Sequence, residues 1–503
     1  MNFIRLLQLV FVLIFTIIIS ACAGGSNDDG NPDPNKQKRT AIDQINFTDA
    51  NLEACIKDTG YTYNDEIIEL DCQGAQIADV TSLSSFASLE VLNLNHNPIT
   101  DIAPLASLTN LKALNLYSSN GQITDISPIS SLSKLEILNL DYNKVADISA
   151  LASLLNLKDL NICANQIVDI TPLTSLIKLE YLELCYNKIT DINSLSSLTN
   201  LEKLNLGGNQ ITNVSPINSL TNLKELYLLF NDIVDVSPLA SLINLEHLNL
   251  WANEIADITP IASLVSLENL HLGGNEITNI ATINSLTKLR SLILSYNKIS
   301  DIKPLVSLSG LKELDISWNE IVDITTLSSL NNLEKLEINN NQIVNISSLA
   351  YLHSLKTLYF AHNQIADIFP LALLTNLEYL SAHDNQISDI TTLASLDKLQ
   401  YLNVYANQVT DIDSLALLTN LGFLSLGSNQ IADISSLASL SNLYALYLSF
   451  NQITDIAPLM GLSNLRTLNI MENDGILCGD LDLLEQTLSN TNIQRDLSGV
   501  CAE

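Results

Sequence analysis

The chain has 503 residues, of which 47% are hydrophobic and only 5% aromatic, so its core must be filled by many similar aliphatic side chains. Its 55 acidic and 23 basic residues give a formal net charge of -32. Because so acidic a surface repels phosphate backbones and releases few counterions from them, DNA and RNA are excluded as ligands.

The N-terminus carries a predicted signal peptide over residues 1–21. Arg5 is followed by an apolar run from Leu9 to Ile19 and then by small residues, which is typical of a targeting segment. The stretch from Ile19 to Cys22 resembles the lipobox of bacterial lipoproteins, in which cleavage leaves the cysteine as a lipid-modified N-terminus. Cys22 is therefore the predicted lipid anchor. The alternative is an ordinary secretory signal with an incidental cysteine.

Residues 22–40 are predicted to form a flexible tether, because their Gly-, Ser-, Asp- and Asn-rich composition cannot bury apolar surface. No later segment has the run of about 20 apolar residues that a membrane span needs. Membrane association is therefore predicted through the lipid anchor only. The expected location is the bacterial cell envelope, on the outer membrane or the cell surface.

An asparagine recurs every 22 residues from Asn143 to Asn473, sixteen times in all. Around each copy the sequence follows the pattern LxxLxLxxNxIxDIxxLxxL, as in residues 157–176. This pattern resembles the leucine-rich-repeat family, in particular the 22-residue repeat of internalins, over about residues 67–471. The resemblance implies a solenoid that is displayed outside the cell and binds another macromolecule.

The residues within one repeat predict the same architecture on physical grounds. Leu160 and Ile162 alternate with outward neighbours, so they form the buried face of a strand, and stacked copies form a parallel sheet. Apolar residues then recur at a spacing of three from Ile170 to Leu176, which is typical of a 3₁₀ turn, and Asp169 can cap that turn. The predicted fold is an α/β-type leucine-rich-repeat solenoid. It has a parallel β-sheet on the concave face, 3₁₀ or irregular turns on the convex face and a cap at each end.

The recurring asparagine is predicted to be structural rather than ligand-binding. Loop backbone that is buried between stacked repeats needs hydrogen-bond partners, and an amide side chain can donate and accept at once.

Residues 41–80 are predicted to form an N-terminal cap with the first, degenerate repeat, residues 81–473 the leucine-rich repeats, and residues 474–503 a C-terminal cap. A disulfide between Cys55 and Cys72 is expected to close the first cap, and one between Cys478 and Cys501 the second. Loops of this size contribute roughly 3 kcal/mol each. The caps matter because a solenoid frays from its ends.

Cys163 and Cys185 occupy the same outward strand position in consecutive repeats. The lateral strand spacing of about 4.8 Å is inside the disulfide range, but parallel Cβ vectors hold the sulfurs in poor geometry. Two free thiols are therefore favoured over a disulfide, and a metal site is the third alternative.

The sequence gives no sign of catalysis. Its six histidines occupy different positions of the repeat and are not expected to meet at one site. The nearest approach to a ligand cluster, His247 and His271 with Glu225 one strand earlier, is interpreted as a solvated polar face. A Gly-rich phosphate loop, a CxxC pair and an HExxH motif are all missing from the sequence. We therefore predict a protein that is not an enzyme, with no catalytic residue, no metal and no cofactor.

Candidate partner-binding residues lie at the outward strand positions of the concave face. We name the largest group the C-terminal aromatic stripe, which consists of Tyr359, Tyr379, His383, Tyr401, Tyr405, Phe423 and Tyr447. An earlier aromatic group includes Tyr227 and Trp251, and an acidic patch between the two consists of Glu313, Asp315 and Glu337. Aromatic side chains dominate binding energies because they bury large areas at low entropic cost. The alternative is that tyrosine simply favours strands.

The preferred interpretation is a non-catalytic, monomeric envelope or surface lipoprotein that binds another protein through its concave face. The internalin resemblance extends this to adhesion or host interaction, and the acidic patch favours a partner with basic residues. One alternative is a glycan-binding envelope module, because aromatic faces also stack on sugars. The other is a regulatory subunit of an enzyme, because similar 22-residue repeats occur in a protein-phosphatase regulator.

Overall fold

The computed structural model describes residues 39–118 and 123–495. The predicted signal peptide, Cys22 and most of the predicted tether lie outside the described residues. Among the residues that are described, no helix is both long and apolar enough to cross a membrane.

Twenty short strands form one parallel sheet, in which each strand pairs with the next along the chain. The strands are β1 (Glu69–Asp71), β2 (Val91–Asn93), β3 (Ala113–Asn115), β4 (Ile137–Asn139), β5 (Asp159–Asn161), β6 (Tyr181–Glu183), β7 (Lys203–Asn205), β8 (Glu225–Tyr227), β9 (His247–Asn249), β10 (Asn269–His271), β11 (Ser291–Ile293), β12 (Glu313–Asp315), β13 (Lys335–Glu337), β14 (Thr357–Tyr359), β15 (Tyr379–Ser381), β16 (Tyr401–Asn403), β17 (Phe423–Ser425), β18 (Ala445–Tyr447), β19 (Thr467–Asn469) and β20 (Asn492–Gln494).

The helical elements are two α-helices and a series of 3₁₀ turns. Two α-helices, α1 (Ala50–Asp58) and α2 (Cys478–Thr487), lie at the two ends of the chain's described part. Each connection from β1 to β19 contains a five-residue 3₁₀ turn, the first at Thr81–Ser85 and the last at Ala457–Gly461. Two shorter 3₁₀ turns lie in the N-terminal cap, at Ile42–Gln44 and Asn64–Glu66.

The core is a stack of aliphatic layers between the sheet and the turns. The central residue of every strand from β1 to β19 is a leucine, and Leu160 is in register with Leu182 of the next strand. Both are fully buried, as are Leu173 of the 3₁₀ turn Thr171–Ser175 and Leu176, which directly follows it. Burying such a side chain stabilises the fold by roughly 1.5–3 kcal/mol. The predicted parallel sheet and 3₁₀ turns are confirmed.

The repeated aspartate caps the turn as predicted. Oδ1 of Asp169 accepts hydrogen bonds from the backbone amide of Thr171 at 2.8 Å and from its hydroxyl at 2.5 Å. These two bonds lower the pKa of Asp169. The same contact recurs at Asp257, whose Oδ1 binds the amide and hydroxyl of Thr259.

The recurring asparagine is structural, which confirms the prediction. Nδ2 of Asn165 donates to the carbonyl oxygens of Leu140, Ile162 and Cys163 at 3.0–3.3 Å. Its Oδ1 accepts from the amide of Val145 at 2.9 Å. One side chain therefore satisfies loop backbone in its own repeat and in the preceding one.

The recurring asparagines form a row along the solenoid, which we call the asparagine ladder. The residue before each of them adopts a left-handed backbone conformation. Among the described residues of this row, from His96 to Glu472, φ lies between 52° and 58° at the non-glycine positions, and Gly208 and Gly274 occupy the position in two repeats. This conformation costs a non-glycine residue roughly 1–2 kcal/mol. The asparagine bonds to the neighbouring carbonyls hold the loop in this shape.

Both ends of the solenoid are covered. A disulfide joins Cys55 of α1 to Cys72, with the two Cα atoms 5.9 Å apart. At the other end α2 begins at Cys478, which is disulfide-bonded, and Cys501, its predicted partner, lies outside the described residues. Strand β20 follows α2 and pairs with β19, an element that the sequence did not predict.

Candidate functional site

The C-terminal aromatic stripe contains a continuous row of rings. Tyr379, Tyr401 and Phe423 are in register on β15, β16 and β17. Their ring centroids are 6.4 and 4.4 Å apart, and the rings of Tyr401 and Phe423 stack at an interplanar angle of 10°. Tyr447 extends the row, with its centroid 5.4 Å from that of Phe423. Because every ring is attached to the same sheet, the row is a preformed aromatic surface.

The other members of the stripe flank this row. Tyr405 is 37% exposed, whereas Tyr359 and His383 are half-buried. Burial raises the pKa of the Tyr359 hydroxyl, and the neighbouring Glu337 carboxylate raises it further. The structure therefore brings all seven predicted residues to one end of the concave face.

A depression of about 460 Å³ lies beside the ring row. Tyr379, Tyr401 and Tyr444 line it together with Gly422, where a Cβ atom would lie 2.7 Å from the Tyr444 ring. The remaining lining residues are Glu378, Lys398, Gln400 and Asn420. Tyr444 was not among the predicted residues, because it lies outside the outward positions that alternate with the inward leucines.

The acidic patch is less acidic than the sequence predicts. Lys335 lies within it, in register with Glu313, and its Nζ is 2.8 Å from Oε1 of Glu337. Together with Asp315, the patch therefore contains three carboxylate groups and the one ammonium group of Lys335. Glu337 is in register with Tyr359, so the patch borders the aromatic stripe.

The earlier aromatic group makes closer contacts with its own surface. The Trp251 ring covers Gly273, where a Cβ atom would lie 2.2 Å from the ring. The hydroxyl of Tyr227 donates to Oε2 of Glu225 at 3.1 Å, and Nζ of Lys203 is 5.7 Å from the Tyr227 ring centroid. Burial raises the pKa of Tyr227. These contacts leave this group less available than the stripe.

A second set of exposed aromatics occupies the left-handed position before the ladder asparagine. These loop-edge aromatics are 46–55% exposed, and they are Tyr142, Tyr186, Phe230, Tyr296, Trp318 and Phe450. Tyr296 and Trp318 stack with their centroids 5.1 Å apart, and Trp251 is 6.3 Å from Tyr296. This row was not among the predicted residues, although aromatic residues recur directly before the repeated asparagine.

Cys163 and Cys185 form a disulfide, and the preference for free thiols was therefore wrong. Their Cα atoms are only 4.5 Å apart, which is close enough for the two side chains to turn toward each other across the strands. A carboxylate oxygen of Glu183 lies within 4.8 Å of both sulfurs. Beside them, burial raises the pKa of Asp141 to about 8, although its carboxylate accepts a bond from the Cys163 amide.

The prediction that the histidines do not converge is wrong for one pair. The rings of His362 and His383 are 4.9 Å apart and meet edge to face. Nδ1 of His362 and Nε2 of His383 lie 3.6 and 4.0 Å from Oδ2 of Asp384. Burial lowers the pKa of His383, and the neighbouring His362 lowers it further. The repeat pattern assigns His362 to the row before the recurring asparagine and His383 to the outward strand positions. The left-handed backbone at His362 and Asp384 brings these two rows together.

Comparisons with known proteins agree with this architecture. A family model described as "Leucine Rich repeats (2 copies)" matches residues 65–131, 133–175, 177–329 and 331–459 in overlapping copies. The structure is similar to that of a leucine-rich-repeat protein from Leptospira interrogans, with 26% sequence identity and a TM-score of 0.66, covering 80% of this chain and 100% of that one.

Two internalin structures from Listeria monocytogenes are also similar. InlF is 35% identical, covering 67% of this chain and 87% of its own, with a TM-score of 0.47. The functional domain of InlJ, whose description mentions a cysteine ladder, is 22% identical, covering 87% of this chain and 82% of its own, with a TM-score of 0.55. A comparison with curated proteins found no significant match.

Proposed function

Because this chain belongs to the leucine-rich repeat family, whose stacked repeats form extended concave binding surfaces, we propose that it is a non-catalytic, lipid-anchored protein of the bacterial cell envelope that binds a protein partner. The C-terminal aromatic stripe is the proposed contact surface. The observation that carries the proposal is the continuous ring row from Tyr379 to Tyr447.

The size and chemistry of this surface suit a protein interface. The exposed faces of the four rings form one apolar surface, which would be the centre of an interface of about 800 Å² per partner. Polar residues such as Glu378 and Lys398 surround the depression beside it. Aromatic anchors with a polar rim are the usual arrangement of binding hot spots. The acidic patch would increase the association rate with a basic partner.

Photo-crosslinking tests which surface contacts the partner. A photoreactive phenylalanine analogue replaces Tyr379, and the same analogue at Tyr186, a loop-edge aromatic, is the matched control. After irradiation of intact cell envelopes we expect one discrete adduct from position 379 and none from position 186. Adducts from position 186 alone would contradict the proposal and move the contact to the loop edge.

The proposed lipid anchor is tested separately. The disulfides Cys55–Cys72 and Cys163–Cys185 support an oxidising location outside the cytoplasm. Cys22→Ser should move the protein from the membrane fraction to the soluble fraction, and unchanged partition would contradict the anchor. Protease shaving of intact cells then distinguishes external display, which a role in adhesion or host interaction requires, from periplasmic exposure.

Glycan binding is the second candidate, favoured by the exposed, stacked rings of Tyr296 and Trp318. Aromatic faces of this kind can stack on sugar rings. A glycan array with the unmodified protein and the Trp318→Asn variant distinguishes the two functions, because asparagine tolerates the left-handed backbone at that position. A glycan signal that Trp318→Asn abolishes would favour this candidate, and an array without signal would reject it.

A further inference from the structure

We propose that His362, His383 and Asp384 form a binding site for a divalent transition metal ion such as Zn²⁺. The site lies at the loop edge of the concave sheet, next to the C-terminal aromatic stripe. One ligand atom from each of the three residues lies within 4.8 Å of the other two. Nδ1 of His362 and Nε2 of His383 are the nitrogens nearest the Asp384 carboxylate, and they would be the ligands together with one of its oxygens. The proposal does not depend on the partner-binding function.

The three donor atoms surround a gap of suitable size. The two imidazole nitrogens are 3.6 and 4.0 Å from Oδ2 of Asp384, which is longer than a hydrogen bond. Zinc–ligand distances of about 2.0–2.1 Å place neighbouring tetrahedral ligands about 3.3 Å apart. Side-chain rotations that shift these atoms by some tenths of an ångström would therefore complete the coordination.

The backbone that carries these ligands is fixed. His362 and Asp384 occupy the left-handed position in consecutive repeats, with φ values of 54° and 52°. The amide of His362 donates to the carbonyl of His383, and the amide of Asp384 donates to the carbonyl of Tyr405, both at 3.0 Å. Because the ladder holds both loops, metal binding needs little rearrangement of the chain.

The second ring nitrogen of His383 is also held. Nδ1 lies 2.9 Å from Oγ of Ser381 and 3.3 Å from Nδ2 of Asn403. With a metal on Nε2, Nδ1 carries the hydrogen and donates a hydrogen bond to the Ser381 hydroxyl oxygen, whereas the Asn403 amide nitrogen, itself a donor, bonds Nδ1 only in the other tautomer. Such a partner on the far side of the ring is a regular feature of metal-binding histidines, because it sets the tautomer and the ring orientation.

The donor set defines the ligand class. Two imidazoles and one carboxylate suit zinc, copper, nickel or iron better than calcium or magnesium, which prefer oxygen ligands. Three protein ligands leave at least one coordination position open. The side chains of His362 and Asp384 are 48% and 38% exposed, so water or a residue of a partner can reach that position.

Cobalt binding to the full-length protein in detergent, under non-reducing conditions, tests the proposal. Co²⁺ is the probe because its visible absorption reports nitrogen and oxygen coordination, and Zn²⁺ should displace it. We expect one Co²⁺ per chain. His362→Asn and Asp384→Asn should each weaken binding at least about tenfold, and Ser381→Ala should weaken it about tenfold through the ring orientation.

The control is His96→Asn, because His96 occupies the same left-handed position as His362 but belongs to neither cluster of metal-ligating side chains found in the described residues. Asparagine tolerates this conformation, so all three Asn variants should fold, as circular dichroism would verify. Unchanged Co²⁺ binding in His362→Asn and Asp384→Asn would overturn the proposal. An equal loss in His96→Asn, or no Co²⁺ bound by the unmodified protein, would overturn it as well.

Discussion

Asn253, in the middle of the asparagine ladder, shows how much the ladder stabilises the solenoid. Its Nδ2 donates to the carbonyls of Leu228, Leu250 and Trp251 at 3.0, 3.1 and 3.4 Å, and its Oδ1 accepts from the amide of Ile233 at 3.0 Å. Asn253→Ala removes all four bonds from a site that is 8% exposed. A buried polar group without a partner costs about 1–3 kcal/mol, so we expect a loss of about 2–4 kcal/mol.

Asn244→Ala is the matched control, since Asn244 lies in the same repeat but is exposed and donates one bond, to the carbonyl of Thr221 at 2.9 Å. Its loss should cost less than about 1 kcal/mol. Urea unfolding gives both free energies, and hydrogen exchange of the Ile233 amide should be accelerated by Asn253→Ala alone. Equal costs for the two variants, or unchanged exchange at Ile233, would refute the structural role of the ladder.

Three further variants test the strand faces and the buried carboxyl group. Leu292→Ala removes a fully buried side chain and should cost about 2–5 kcal/mol in urea unfolding, whereas Ser291→Ala beside it should cost less than about 1 kcal/mol; equal losses would mean that the strand faces are assigned backwards. Asp141→Asn should stabilise the protein more at pH 8 than at pH 5. The pKa of Asp141 is raised from 3.8 to about 8 in the folded protein, so the folded state binds this proton more tightly than the unfolded state does. The stability that the protonated group contributes at low pH is therefore lost as the pH rises through that interval. The extra gain at pH 8 should be on the order of 3 kcal/mol in urea unfolding, and a gain independent of pH would contradict the raised pKa.

The sequence was sufficient to predict the architecture. A leucine-rich-repeat protein of the internalin type is confirmed, as are the parallel sheet and the 3₁₀ turns. The reason is that each strand can bury its leucine only by stacking on the same position of the next repeat, as Leu160 does on Leu182. A constant 22-residue spacing therefore determines the register of the whole sheet.

Contacts between different rows of the repeat could not be predicted in the same way. The row before the ladder asparagine has a left-handed backbone, and the pattern gives no direction for its side chains. The stacking of Trp318 on Tyr296 and the meeting of His362 with His383 depend on that direction.

The Cys163–Cys185 disulfide also depends on side-chain rotation rather than on strand spacing. The repeat pattern assigns each residue to the buried or the exposed face of the strand, but it does not determine the rotamer of the side chain. Lys335 differs, because it lies one repeat after Glu313 and the repeat spacing alone places it in the acidic patch, where its ammonium group reduces the charge.

The affinity for the partner captured by the cross-link shows whether the C-terminal aromatic stripe is the contact surface. Calorimetry would compare the unmodified protein with a Tyr379→Ala, Tyr401→Ala double variant and with a Tyr227→Ala, Trp251→Ala control. We expect the first variant to weaken binding by more than about 2 kcal/mol, roughly thirtyfold, with thermal unfolding nearly unchanged. Unaltered affinity in the first variant, with loss only in the second, would place the binding site outside the stripe and contradict the proposed contact surface.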